Sequence, residues 1–137
     1  MQSTLIYWPM LLQLSIPFWV IGLNGARKAA ARKAGLQQPE SKVDNKAWPL
    51  PVVLTSNSLD NQFQFPIVFY VLCLILAQSG GVTLLSLTLA WFYVGLRWVH
   101  AVVHVTSNVI PLRFGFFLAS MFVLLGLFIT CLVHLAI

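Results

Sequence analysis

Four long apolar runs, separated by short polar stretches, leave this chain few ways to fold in water. The first spans Leu5 to about Gly25, and the second reaches Ala77 from a start between Leu54 and Asn61. The third begins near Val82 and extends towards Ser107, and the fourth runs from Leu112 to the C-terminus. A run like the first is long enough to cross a hydrocarbon layer about 30 Å thick at about 1.5 Å per residue. Hydrophobic residues make up 59% of the 137 and charged residues only 8%, with a mean hydropathy of +0.87. A soluble domain carries roughly 25% charged residues, so too few are present here to coat a surface facing water. The expected fold is an all-α membrane protein, a single bundle of four transmembrane helices over residues 1–137. Its helices are expected at about 5–34, 54–78, 82–107 and 112–136.

Local signals divide the chain at consistent places. Pro9 and Pro17 interrupt the first run, which membrane helices tolerate. No basic residue precedes that run and no small-residue cleavage site follows it, so it reads as a retained span rather than a signal peptide. Ala26–Ala34 is rich in helix formers and continues the first helix beyond the headgroups. Gln37–Pro51 turns polar and proline-rich, a loop with Trp48 suited to the interface. Gln78-Ser79-Gly80-Gly81 supplies a tight turn, and Pro111 marks the last break. The sequence contains no internal repeat and no low-complexity tract.

Charge placement sets the expected orientation. Arg27, Lys28, Arg32, Lys33, Lys42 and Lys46 are six of the eight basic residues, and all fall in the stretch 27–53. Such a cluster beside a span marks the cytoplasmic side and meets lipid headgroups, rather than nucleic acid. Both termini and the turn at Gly80 then lie on the non-cytoplasmic side, and the Asn108–Arg113 connection on the cytoplasmic side. Short hydrophilic loops without a targeting segment point to a bacterial inner membrane. The three acids, Glu40, Asp44 and Asp60, all precede the second apolar run. That placement excludes chemistry needing paired acids deep in the bilayer, such as carboxylate di-iron sites or glycosidase pairs.

Polar side chains inside spans are costly in hydrocarbon, and those present usually face protein or a water-filled cavity. Asn57, Asn61 and Gln64 sit at i, i+4 and i+7 on the second helix. On the third, Tyr93, Arg97, His100, His104 and Asn108 follow spacings of 4, 3, 4 and 4, and Arg113 opens the fourth. Helical periodicity puts each set on one face. Their depths place Asn61, Gln64, Arg97, His100, His104 and Arg113 in one layer at the inner leaflet, with no acid to neutralise it. A cationic pocket without acids suits an anionic guest, because guanidinium binds carboxylate or phosphate through paired hydrogen bonds. His100 and His104 have a chelating spacing, but no third ligand lies near in sequence, and His134 falls at the far end of the last helix. No metal or haem site is expected. Cys73 and Cys131 lie in separate apolar runs and read as packing residues. Gly115, Ala119 and Gly126 share a face of the fourth helix and permit close helix approach, hence self-association.

These residues resemble the membrane-associated proteins in eicosanoid and glutathione metabolism, the MAPEG family. The resemblance runs from the basic loop through the fourth helix and is clearest in Asn61–Tyr70 and Arg97–Arg113. It implies a four-helix membrane protein forming a homotrimer, with glutathione bound between subunits near the cytoplasmic side. The family's second helix shows Arg, Asn, Glu and a nearby Pro, where this chain has Asn57, Asn61, Gln64 and Pro66. Its third helix shows Arg, then His or Tyr, then often Tyr; here these are Arg97, His100 and His104. Arg113 matches the arginine that holds the glutathione thiolate in catalytic members, and Arg27 loosely matches a basic residue that contacts a glutathione carboxylate. A serine and a tyrosine of some members are Phe114 and Phe117 here.

The resemblance implies a glutathione-dependent transferase or peroxidase acting on small lipophilic electrophiles that enter from the lipid bilayer. Arg113 would be the catalytic residue, with Asn61, Arg97, His100 and His104 binding the tripeptide. Gln64 would take the amine less strongly than the family's Glu, by about 1 kcal/mol or more. The alternative is a non-catalytic module that binds lipid or another anion, or serves assembly, on the same fold. A channel or transporter is disfavoured because the sequence has neither an inverted repeat nor a pair of broken helices.

Overall fold

In hydrocarbon, a backbone polar group has only its own chain to bond, so a chain this apolar satisfies its backbone through helices. The computed structural model describes residues 2–137, and no strand occurs among them. A short 3-10 turn, Ser3–Ile6, leads into α1, Tyr7–Lys33; α2 spans Leu50–Gln62 and α3 Phe65–Ser79. α4 covers Leu84–Val105 and α5 Ile110–Ala136. Among the described residues, four segments are long and apolar enough to cross a membrane: Ser3–Lys33, Leu50–Ser79, Leu84–Val105 and Ile110–Ala136.

The second span is not one continuous rod. It starts at Leu50, earlier than the hydropathy suggests, and breaks at Phe63–Gln64, where Gln64 adopts φ −101° and ψ −111°. Pro66 lacks the N–H that would bond the carbonyl four residues back, and its ring clashes with that turn. The spacing of Asn57, Asn61 and Gln64 therefore does not continue on one helix face. Asp60 lies within α2, ten residues after its start and about 15 Å along the axis, and so falls inside the second span rather than ahead of its apolar run.

The remaining ends follow ordinary local chemistry. Gly80 closes α3 in the left-handed region at φ 73°, which glycine adopts without steric penalty. Thr83 and Ser86 form a reciprocal capping box at the start of α4. Pro111 occupies the first turn of α5, where its missing N–H costs nothing.

The main core gathers Ile6, Phe69, Leu76, Tyr93, Val94 and Leu127, and Phe69 stacks on Tyr93 at 4.6 Å. Cys73 and Cys131 are buried free thiols in the same core. A second cluster, Ile16, Val20 and Ala101, is flanked by Trp19 and Trp98, whose rings lie 5.4 Å apart. Between α1 and α2, Gln13 Nε2 donates to Gln62 at 3.4 Å and Thr55 donates to Asn24 at 2.9 Å.

Four of the six clustered basic residues sit on α1 itself, which extends to Lys33. Arg27 donates to the carbonyls of Pro51 at 2.8 Å and Val105 at 2.7 Å, fastening α1 to the start of α2 and the end of α4. Lys28 and Arg32 lie 5.4 and 5.6 Å from the ring centroid of buried Trp48, whose Nε1 donates to Ser41. On α5 the small-residue stripe is divided. A Cβ at Gly126 would meet Leu89 of α4 at 3.7 Å, while one at Gly115 would meet nothing.

At the end of the bundle opposite the basic loop, His134 of α5 reaches the carbonyl of Ser79 and covers Gly81. A Cβ on Gly81 would lie 2.7 Å from His134 Nε2. Gly81→Ala should therefore lower stability by about 1–3 kcal/mol, followed as thermal unfolding in detergent. The double variant with His134→Ala should recover most of that loss.

Candidate functional site

The break in the second span creates the first element of the site. In an unbroken helix, Asn61 O would accept from the N–H of Phe65; here α2 has already ended, and Arg97 Nη2 of α4 donates to it at 3.3 Å. A cation at the C-terminal end of α2 also meets the negative end of the helix dipole. Arg97 is 1% exposed, and its Nε and Nη1 have no partner.

One and two turns further along α4, the histidines continue the same buried face. His100 and His104 are each 3% exposed, with ring centroids 5.7 Å apart. His100 Nδ1 donates to the Arg113 carbonyl at 2.9 Å, and its buried Nε2 has no partner. His104 Nδ1 accepts from the Asn61 side-chain amide at 3.4 Å. The hydroxyl of Tyr93, one turn before Arg97, is likewise buried without a partner.

Arg113 enters from the first turn of α5 and is half-buried. Its Nη1 donates to Asn108 Oδ1 at 2.6 Å. Asn108 takes the left-handed conformation at φ 49° in the turn between α4 and α5, a geometry Asn tolerates better than most residues. That turn places the amide oxygen beneath the guanidinium.

Phe117, one turn along α5, joins this polar group to an apolar surface. Arg97 Cζ and the His100 ring each lie 6.0 Å from the Phe117 ring, and Phe65 meets it edge-on at 5.8 Å. The far side of Phe117 lines an open groove of about 440 Å³ between α3 and α5, bounded by Phe65, Val68, Met121, Leu125 and Phe128. A cationic cluster and an apolar groove thus share one aromatic wall.

The structure brings together Asn61, Arg97, His100, His104 and Arg113. Gln64 is not among them: it is exposed at the break, ahead of α3, because the helix that would have carried it inward ends at Gln62. Asn57 is also exposed on α2. Phe117 was noted in the sequence only as standing where some family members have a tyrosine, and nothing there marked it as a wall of the site. Asn108 was expected to continue the polar face of the third helix, but α4 ends at Val105 and Asn108 lies in the turn that follows. Among the described residues no group of three or more His, Cys, Asp or Glu side chains could hold a metal.

A buried guanidinium with two unpartnered donors lowers the stability of the ligand-free protein, and an apolar side chain of similar length removes that penalty. Arg97→Met should therefore raise the thermal midpoint of the ligand-free protein, by the equivalent of about 1 kcal/mol, in a detergent unfolding assay. An unfolding midpoint below wild type would mean that the Asn61 contact outweighs the unpartnered donors.

Residues 5–133 match the family model described as the MAPEG family. No curated protein and no solved structure matches the chain. The match covers nearly the whole sequence, and the four spans agree with the family's four-helix membrane architecture. This chain belongs to the MAPEG family.

Proposed function

We propose that this protein is a glutathione-dependent transferase or peroxidase acting on lipophilic electrophiles at the membrane. The MAPEG family includes glutathione transferases, peroxidases and eicosanoid synthases. The observation that carries the reading is the shared wall at Phe117. On one side lie buried donors with no counter-charge, and on the other an apolar groove open to the outside of the bundle. That pairing suits a reaction between an anionic, water-soluble thiol and a lipid-soluble partner.

In this reading Arg113 stabilises the thiolate. A guanidinium at the start of a helix lowers a thiol's pKa by favouring its charged form. Asn61, Arg97, His100 and His104 bind the polar groups of the tripeptide. In conjugation the thiolate sulfur attacks the electrophilic carbon, a C–S bond forms, and the leaving group departs with its bonding pair. For a hydroperoxide, sulfur attacks the outer oxygen, the O–O bond breaks, and the alkoxide leaves and takes a proton. A second glutathione then displaces water to give the disulfide. Holding both reactants at Phe117 supplies effective concentration.

The proposed assembly is the homotrimer of the family, with the loop-side ends of the helices in the cytoplasm and both termini outside, in a bacterial inner membrane. A second reading, a non-catalytic site for lipid headgroups or other anions, has specific support. Phe114 and Phe117 stand where some members carry hydroxyls, and Arg113 is already held by Asn108.

Glutathione titration of the purified protein in detergent tests this reading, following thiolate absorbance and thermal stability together. Saturable stabilisation with a thiolate signal is expected, and Arg113→Leu should abolish the signal and lower turnover by about 10²–10³. Stabilisation without thiolate in wild type would favour the anion-binding reading. Unchanged thiol conjugation in Arg113→Leu would overturn the proposed mechanism.

A further inference from the structure

The loop-side end of the bundle carries a feature that the thiol chemistry leaves unused. Lys28 and Arg32 stand at i and i+4 on α1, and both cations reach the ring of Trp48, at 5.4 and 5.6 Å from its centroid. Two like charges at this spacing repel each other, and the aromatic face offsets part of that cost. Trp48 is itself fixed: it is buried, its Nε1 donates to the Ser41 carbonyl at 3.0 Å, and it packs with Ala31 and Val52. The acids nearest in sequence, Glu40 and Asp44, are exposed, and Asp44 accepts the backbone N–H of Lys46. The fold thus seats the cation pair on an aromatic ring rather than on a carboxylate.

The cluster behind Trp48 is also the wall of a groove. Ala31 and Val52, with Ala30, Ala34, Leu36 and Pro49, line an open apolar groove of about 280 Å³, and Arg27 stands at its membrane end. Arg27 binds carbonyls at the start of α2 and the end of α4, so it marks the level where those helices end. Lys28 and Arg32 lie one and five residues further along α1, about 1.5 and 7.5 Å beyond that level. The headgroup layer occupies about 5–8 Å on each side of the hydrocarbon, so the pair lies at headgroup height. Leu36, Val43 and Leu50 are exposed at the same end. Large apolar side chains set among cations suit an amphiphile, with charge and hydrocarbon side by side, better than a dissolved anion.

We infer that Lys28, Arg32 and Trp48 form a discrete site for an anionic phospholipid, its phosphate held by the two cations and its chain-bearing end seated in the alanine-lined groove. Two cations facing one phosphate favour a headgroup that keeps its net negative charge, since a choline ammonium would add a third positive charge at the same level. That preference, fixed at two residues, separates the site from the general attraction of a basic loop to a membrane. The site is independent of any turnover of glutathione.

The test titrates the full-length protein in maltoside micelles with dioleoyl phosphatidylglycerol, dioleoyl phosphatidylcholine or inorganic phosphate, reading binding from the thermal midpoint. Phosphatidylglycerol should stabilise saturably and bind about tenfold tighter than phosphatidylcholine, and inorganic phosphate should not reproduce the effect. The double variant Lys28→Gln/Arg32→Gln should bring the two lipids within about twofold of each other. Lys42→Gln/Lys46→Gln removes the same charge and should keep the preference. Ala34→Phe, which fills the groove, should weaken both lipids. Equal loss of preference in the two double variants would mean diffuse attraction and overturn the site. Stabilisation by inorganic phosphate alone would overturn the assignment to a lipid. Where Lys28→Gln/Arg32→Gln unfolds without lipid, Arg32→Gln alone, at an exposed position, carries the comparison, and an unchanged preference there overturns the inference.

Discussion

The contact between the Arg97 guanidinium and the Asn61 carbonyl is the one on which the site depends. A charged group 1% exposed, in a bundle whose one acid within the spans, Asp60, is exposed, has few acceptors available. The carbonyl it finds exists only because α2 stops at Gln62. Each feature therefore compensates for the other: the proline-associated break frees an acceptor, and the arginine needs one. The same compensation spreads outward. Asn61 turns its amide to His104, and His100 donates to the carbonyl of Arg113, so α2, α4 and α5 are joined through polar atoms at one level. In lipid, where apolar surface gives helices no reason to associate, such bonds and close packing set the geometry.

At the loop end a second arginine performs a related task with different consequences. Arg27 binds carbonyls from Pro51, in the first turn of α2, and Val105, the last residue of α4, whose carbonyl has no partner within its own helix. Three elements are thereby fixed in relative height, which keeps the Arg97 level constant. Arg27 has its Nη atoms engaged in this way, whereas Arg97 keeps Nε and Nη1 free. That difference separates a guanidinium whose donors the fold uses from one with donors to spare, and charge alone does not reveal it.

Much of the architecture was legible because the relevant signals are local. Length and hydropathy identify spans residue by residue, and the 3.6-residue period groups Tyr93, Arg97, His100 and His104 on an unbroken helix. The same period failed at Gln64, since it presumes a continuous helix and Pro66 ends that presumption. Asp60 was read as preceding the second apolar run for a related reason: hydropathy allows that run to start as late as Asn61, whereas α2 begins at Leu50. The pairings of Gln13 with Gln62 and Asn24 with Thr55 were invisible, because contacts between separate helices leave no periodic trace. Phe117 was visible only as the counterpart of a tyrosine in some family members, which says nothing of its contacts here. Its importance comes from facing Arg97 and His100 on one side and the groove on the other.

The substitutions on α5 bear on how the thiol would be activated. With Phe114 and Phe117 in place of hydroxyls, Arg113 is the one side chain of residues 110–117 that could hydrogen-bond a thiolate. What remains is electrostatic: the Arg113 guanidinium and the positive end of α5, both in the first turn. Asn108 fixes one guanidinium nitrogen at 2.6 Å, which lowers the mobility of Arg113 without cancelling its charge, since an amide oxygen is neutral. A preorganised charge stabilises an anion without having to reorient as it forms. The aromatic replacements also make the surroundings less polar, which strengthens the field of a fixed cation nearby. In the proposed reaction, losing the hydroxyls need not abolish activation; it would shift the whole task onto Arg113 and make the Asn108 turn part of the chemistry.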